Sequence, residues 1–277
     1  MTTSSNPEIG KSVMSAGLNT NYLEEGTGYP VMMLHGSGPG VTAYANWRLT
    51  IPALSNNFRV IAPDAAGFGY TERKEGQEFT LDFWVEHMVG VMDALKIEKA
   101  HFVGNSFGGA LTMAIATRYP DRVDRIVMMG AAGLNFELTE GLDKVWGHEP
   151  SIENAREMME KYFAYNNDLI GDDLVKSRYE ASIRPGFHET FSAMFPAPRQ
   201  RHIEALGTPE SEIAKLTNRT LMVHGRDDQV IPVECSLRYN QLLVNSDVHI
   251  FGCCGHWTQI EKKDAFNRLV SDFFLAD

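Results

Sequence analysis

Six short apolar runs punctuate the chain, at residues 31–34, 58–62, 100–103, 125–129, 220–223 and 248–251. Each is β-branched or apolar throughout most of its length, and most stop at Gly, Pro or Asp, which is the pattern of strands buried on both faces. Between them lie stretches with helical spacing of apolar positions. Residues 81–95 form one, with Thr80 placed to cap its first turn, and residues 110–118 form another, stopped by Pro120. Residues 237–243 and 263–274 complete the set. Strands alternating with helices predict a mostly parallel sheet flanked by helices on both faces, an α/β architecture.

One region breaks the alternation. From residue 134 to residue 208 no convincing strand is visible, and Trp146, Met158, Met159, Tyr162, Phe163, Tyr179, Phe187, Phe191, Met194 and Phe195 are scattered among helix formers. The segment predicts a helical insertion between two sheet strands. Such an insertion is either further helical packing or a lid over a site, and its position directly after a strand favours the lid. The expected division is a core domain of residues 1–133 and 209–277 with a helical lid of residues 134–208.

Composition narrows the function classes. The chain has 277 residues, 43% hydrophobic and 22% charged, enough to bury a large core and ordinary for a globular protein. Its formal net charge is −11, so a phosphate backbone is repelled and nucleic acid is not an expected partner. An anionic small molecule is still compatible, because one buried Arg dominates a pocket locally. The three cysteines, Cys235, Cys253 and Cys254, form neither a disulfide framework nor a metal-ligand spacing. No window approaches the ~18 apolar residues of a membrane span, and the polar start MTTSSNPEIGK has no apolar signal core. A cytoplasmic protein with reduced thiols, no metal and no membrane contact is expected.

The chemistry is concentrated in three segments. Gly104-Asn105-Ser106-Phe107-Gly108, followed by Gly109, comes directly after the run at 100–103 and directly before a helical stretch. This is the strand–turn–helix context of a nucleophile elbow, G-x-S-x-G. Small neighbours let strand and helix approach, and the Ser106 oxygen then sits where free helix N–H groups favour negative charge. A serine nucleophile needs a base, and the base needs an acid to orient it. Both follow in the chain order of this motif. His224-Gly225-Arg226-Asp227-Asp228 offers the acid on a loop after the strand at 220–223, and Asp228 is preferred over Asp227. His256 follows the strand at 248–251 and is chosen as base from nine histidines. The loop His35-Gly36-Ser37-Gly38-Pro39-Gly40 is expected to supply a second oxyanion donor, the Ser37 N–H, beside that of Phe107. His35 is expected to brace that loop.

With these segments in hand, the chain resembles the α/β-hydrolases and, within them, the meta-cleavage-product hydrolases. The generic motifs support the superfamily. The narrower resemblance rests on HGSGPG with the downstream YANWR, on GNSFGG, on RYEASIRPGF and MFPAPRQR in the insertion, on HGRDDQVIP and on CGHWTQIE. Together these span about residues 7–274, and hydrolases of alkyl or aldehyde ring-fission products are more similar than those of biphenyl products. The resemblance implies an α/β-hydrolase fold, no cofactor, a homo-oligomer and a 2-hydroxy-6-oxo-hexa-2,4-dienoate substrate whose C5–C6 bond is hydrolysed. It implies Arg178 as the carboxylate-binding arginine, with Arg184 as a competing candidate. It also implies Asn46 and Asn105 as polar pocket residues near Gly38, Trp257 as a pocket aromatic, and a Phe107 whose ring forms part of the wall. Ala132, Leu142, Trp146 and Val230 are candidates for the C6 end. A carboxylesterase, another serine hydrolase or a non-catalytic binding protein on the same fold are the alternatives, since fold alone does not decide chemistry.

Overall fold

The computed structural model describes residues 6–276. Its sheet has eight strands: β1 (Lys11–Ser15), β2 (Leu18–Glu25), β3 (Tyr29–Leu34), β4 (Phe58–Pro63), β5 (Ala100–Asn105), β6 (Val123–Met129), β7 (Thr220–Gly225) and β8 (Ser246–Phe251). They lie in the order β1-β2-β4-β3-β5-β6-β7-β8. From β4 to β8 every pairing is parallel, whereas β1 and β2 form an antiparallel hairpin whose second strand runs antiparallel to β4.

The six strands read from the apolar runs are present, each within a few residues of its expected bounds. β1 and β2 are not among them, and their sequences explain the omission. Lys11–Ser15 and Leu18–Glu25 mix polar and apolar residues, and β1 is largely exposed. An antiparallel edge hairpin needs to bury only one face, so it carries no continuous apolar run. Its turn is Ala16-Gly17, both at positive φ (46° and 75°), as a two-residue hairpin loop requires.

The parallel strands divide their side chains between two apolar layers. In β3, Met32 and Leu34 join the larger layer beneath the helices Leu81–Ala94 and Phe107–Arg118. Val31 and Met33 join the smaller layer on the other face, with Trp47, Phe266 and Val270. This two-sided burial is why the runs read as uninterrupted apolar stretches. Thr80 caps its helix as expected, its side chain accepting from the Phe83 N–H at 3.1 Å. Two helices start earlier than expected. The one expected at 110 begins at Phe107, so Gly108 and Gly109 lie in its first turn, and the one expected at 237 begins at Val233.

Between β6 and β7 no strand is present among the described residues. That segment holds the helices Glu140–Trp146, Ile152–Glu157, Asp172–Ser182, Phe187–Met194, Gln200–Ala205 and Glu210–Ile213. The first of these is fastened to the loop after β7, because Thr139 Oγ1 donates to the Val230 carbonyl at 2.8 Å.

Candidate active site

The turn from β5 into the helix Phe107–Arg118 is built by close approach. A Cβ on Gly108 would stand 2.1 Å from the Leu34 carbonyl oxygen, and one on Gly104 would stand 2.5 Å from that of Gly108. Neither position tolerates a side chain. Ser106 between them has φ 52° and ψ −117°, a conformation that costs a non-glycine residue about 1–3 kcal/mol. Hydrogen bonds on both sides enforce it: the Ser106 N–H donates to the Met129 carbonyl at 3.0 Å, and the Ser106 carbonyl accepts from Gly109 and Ala132.

β7 and β8 bring the next two groups together. His256 Nδ1 and Asp228 Oδ2 are 2.7 Å apart. The other carboxylate oxygen of Asp228 accepts the N–H groups of Val230 (2.7 Å) and Ile231 (3.0 Å). Burial works to raise the Asp228 pKa, but the neighbouring His256 and His224 outweigh it and hold the carboxyl well below the usual range. Asp228 is therefore ionised and accepts the Nδ1 proton of His256, which leaves Nε2 as the basic nitrogen. Asp227 points elsewhere: its Oδ2 accepts the Cys254 N–H at 3.2 Å, tying the two loops together. The ring of Phe163 stacks on His256 at 5.9 Å, and its carbonyl accepts the Trp257 N–H.

Ser106 and His256 share a cavity of about 570 Å3 with Ser37, Gly38, Asn46 and Asn105. Arg178, Arg184 and Trp257 line it as well. The Ser37 hydroxyl accepts from Trp146 Nε1 at 2.9 Å, which fixes its loop to the helix Glu140–Trp146. Asn46 Oδ1 accepts the Gly36 N–H at 3.3 Å, and its buried Nδ2 has no acceptor in the protein. Asn105 Nδ2 donates to the Met129 carbonyl at 3.2 Å. His35 braces the loop, with Nδ1 on the Gly36 carbonyl (2.7 Å) and Nε2 accepting the Ala65 N–H (2.9 Å). One stretch of the wall is apolar, formed by Leu142, Val145, Met158, Met159, Phe163 and Val230, while Glu8, Arg48 and Glu180 add further charged groups to the lining.

Three expectations fail here. The Phe107 ring is not part of the cavity wall. It is buried against Trp84 (4.7 Å between centroids) and Phe68 (5.6 Å), because the helix start turns it into the core. Trp146 does not line the cavity either, its indole being stacked on Phe195 at 4.5 Å. Ala132 is not among the lining residues either; its N–H donates to the Ser106 carbonyl and its own carbonyl accepts from Tyr239. Among the described residues no group of three or more His, Cys, Asp or Glu side chains is placed to hold a metal ion.

A buried acid fixing the tautomer of a histidine, in one cavity with a serine at a helix N-terminus, is equipment for nucleophilic attack on a carbonyl. The family model for the alpha/beta hydrolase fold matches residues 29–263. A 2-hydroxy-6-oxo-2,4-heptadienoate hydrolase of Pseudomonas putida F1 is 54% identical over 99% of both chains. A 2-hydroxymuconate semialdehyde hydrolase of Pseudomonas sp. CF600 is 53% identical over 96% of this chain and 94% of its own. The chain is a meta-cleavage-product hydrolase of the α/β-hydrolase family. Among solved structures, a meta-cleavage product hydrolase from Pseudomonas fluorescens IP01, a serine-to-alanine variant complexed with acetates, superposes with a TM-score of 0.96. It is 59% identical, over 97% of this chain and 98% of its own.

Two features of this meta-cleavage-product hydrolase escape a reading of motifs alone. His224 is fully buried beneath the acid, its Nδ1 2.7 Å from Ser236 Oγ and its Nε2 3.2 Å from Asp228 Oδ2. A polar residue ending an apolar strand just before the acid loop is the one sequence signal of it. Glu8 reaches the cavity from outside every recognised motif, placed there by the β1–β2 hairpin that the apolar pattern does not reveal.

Proposed function

We propose that the protein hydrolyses the C5–C6 bond of a 2-hydroxy-6-oxo-hexa-2,4-dienoate whose C6 carries hydrogen or a small alkyl group. Ser106 is the nucleophile, His256 the base and Asp228 the residue that orients it. The observation that carries this reading is the single cavity in which Ser106 and His256 face both buried arginines and an apolar wall. Arginine suits a carboxylate and its neighbouring oxygen, and the apolar wall suits the C6 substituent.

In this scheme the dienol is first ketonised by protonation at C5, so that the later leaving group is a dienolate stabilised by the 2-oxo group. His256 takes the Ser106 proton as Ser106 attacks the C6 carbonyl. The N–H groups of Ser37 and Phe107 hold the oxyanion. The C5–C6 bond breaks, and the departing dienolate takes the proton held by His256 and leaves as 2-hydroxypenta-2,4-dienoate. The neutral His256 then activates the water that hydrolyses the acyl group from Ser106 as a small acid. Asn46, with its unpaired Nδ2, Asn105, Gly38 and Trp257 complete the binding wall around Arg178. Residues 134–208 act as the lid. A cytoplasmic location and a homo-oligomer go with this reading, and sedimentation of the purified protein tests the second.

The test is the loss of dienolate absorbance on mixing enzyme with ring-fission products carrying hydrogen, methyl, isopropyl or phenyl at C6. Turnover of the hydrogen or methyl compound, absent in Ser106→Ala, is the expected result. Ser106-dependent hydrolysis of a simple aryl ester with no turnover of any dienoate overturns the reading in favour of a carboxylesterase.

A further inference from the structure

In the cavity wall the two arginines are joined to an acid, Glu8, that has no part in the proposed reaction. The Glu8 carboxylate sits between two guanidiniums, with Oε1 3.4 Å from an Arg178 terminal nitrogen and Oε2 3.5 Å from one of Arg184. Thr42 Oγ1 also donates to Oε1, at 3.3 Å. The three charged side chains are mostly buried, at 14% (Glu8), 18% (Arg178) and 21% (Arg184) exposure. Glu8 is held in place by its backbone. Its carbonyl accepts from Asn21 Nδ2 at 2.9 Å, and its N–H donates to Asn6 Oδ1 at 3.0 Å.

These contacts are long compared with the 2.7–2.9 Å typical of a charge-assisted N–H···O bond. They leave donors unused. Arg178 Nε and both terminal nitrogens of Arg184 are buried with no hydrogen-bond acceptor in the protein. Arg184 is held by its Nε, which donates to the Ala181 carbonyl at 3.2 Å, and by ring faces, its guanidinium lying 4.4 Å from the Tyr70 centroid and 4.0 Å from that of Phe187. Buried guanidinium donors without acceptors, lining a cavity, are a site for an oxyanion that is not part of the chain. Glu8 offsets one of the two guanidinium charges, and Arg48 and Glu180, which also line the cavity, offset each other, so three cations and two anions leave one net positive charge.

We propose that Arg178 and Arg184 form one joint anion site and that Glu8 is its charge-setting residue. Glu8 keeps both guanidiniums together in the cavity and sets their net charge to match a ligand with a single carboxylate. Identifying that ligand as the dienoate rests on the proposed function; the anion site does not. Glu8 thus selects against dianions, whose second charge meets its own carboxylate.

The test needs no turnover. Trp257 lines the cavity, so its fluorescence reports titration with pentanoate and glutarate, five-carbon acids with one and two carboxylates. Glu8→Gln is expected to bind both more tightly and to shift the glutarate-to-pentanoate affinity ratio toward glutarate by about fivefold or more. Arg184→Gln is expected to weaken pentanoate about tenfold. The double variant restores the net charge, so its ratio returns to within about twofold of the parent, and Glu8→Asp keeps the parent ratio. Should Glu8→Gln not fold, Arg184→Gln against Glu8→Asp carries the test through the same ratio. The proposal is overturned if Glu8→Gln weakens both acids equally, since Glu8 would then only brace the arginines. It is overturned equally if Arg184→Gln binds pentanoate as the parent does. A protein that passes this test but turns over no dienoate refutes the proposed reaction and leaves the anion site standing.

Discussion

Asp228 touches His256 with one carboxylate oxygen, at 2.7 Å, and spends the other on the N–H groups of Val230 and Ile231. The two oxygens therefore have separate tasks, one toward the imidazole and one toward the loop. Asp228→Asn separates them. An amide can keep its oxygen on the loop N–H groups, but it then presents an NH2 to Nδ1. The imidazole must accept there and carry its proton on Nε2, where the base should be. The expected outcome is a folded protein with kcat lowered by about 10^4, the scale known for an acid-to-amide change in such triads. Retention of kcat within tenfold, with an unchanged melting temperature, would remove Asp228 from the proposed mechanism.

The backbone of Ser106, at φ 52° and ψ −117°, suits glycine far better than any residue with a Cβ. Replacing Ser106 with Gly relieves this strain and loses the hydroxyl, whereas replacing it with Ala loses only the hydroxyl. Ser106→Gly is expected to be more stable than Ser106→Ala by about 1 kcal/mol, and both should lack activity. Denaturant unfolding of the two variants side by side measures the difference. Equal stabilities would mean that the elbow stores no strain at this residue.

His87 is fully buried, with Nε2 2.8 Å from Thr20 Oγ1 and Nδ1 accepting the Ala66 N–H at 3.3 Å. A second ring proton would have to face that N–H. Burial, with a smaller contribution from His35, lowers the His87 pKa to about 4. Burial likewise lowers those of His101 and His148 to about 4. On unfolding each regains an ordinary value near 6.5, so between pH 4 and 6.5 the unfolded chain binds more protons. Stability from these groups is complete above pH 6.5 and is lost as pH falls toward 4, by up to about 1.4 kcal/mol per pH unit for each. His87→Gln should flatten the fall of melting temperature over that window. A slope identical to the parent's would show that His87 is not among the groups responsible.

The pattern of apolar runs reveals the parallel part of the sheet because β3 to β7 are mostly buried on both faces, as Val31 and Met33 against Met32 and Leu34 illustrate, and the half-exposed edge strand β8 still sends Val248 and Phe251 to the two apolar layers. It does not reveal β1, an exposed edge strand that carries Lys11, or β2, which mixes the exposed Asn19 with a buried Asn21 hydrogen-bonded to Asp64. The same difference governs the site. Ser106, Asp228 and His256 stand in local motifs in the segments that follow β5, β7 and β8, so short-range spacing finds them. Glu8 is brought in by tertiary packing and carries no motif, and His224, although it opens the HGRDDQVIP segment, shows its role only through its contacts with Ser236 and Asp228. The resemblance implies a Phe107 ring in the cavity wall, but a helix start fixes the N–H direction and the side-chain direction separately, and the ring packs on Trp84 instead.

Leu142 belongs to the apolar wall and is nearly buried, at 2% exposure. Its helix is anchored next to the Asp228 loop by the Thr139–Val230 bond. If this wall receives the C6 substituent, shortening Leu142 enlarges the space open to it. Leu142→Ala should raise kcat/KM for the isopropyl or phenyl compound relative to the methyl compound by about tenfold, the scale of one or two hydrocarbon contacts in a pocket. The stability cost should lie near the low end of the range for buried Leu→Ala, about 2–3 kcal/mol, because one side of the side chain already faces open space. Competition between the methyl and phenyl compounds in one cuvette reads the ratio directly. An unchanged ratio, with the stability loss observed, would place the C6 substituent against a different part of the cavity.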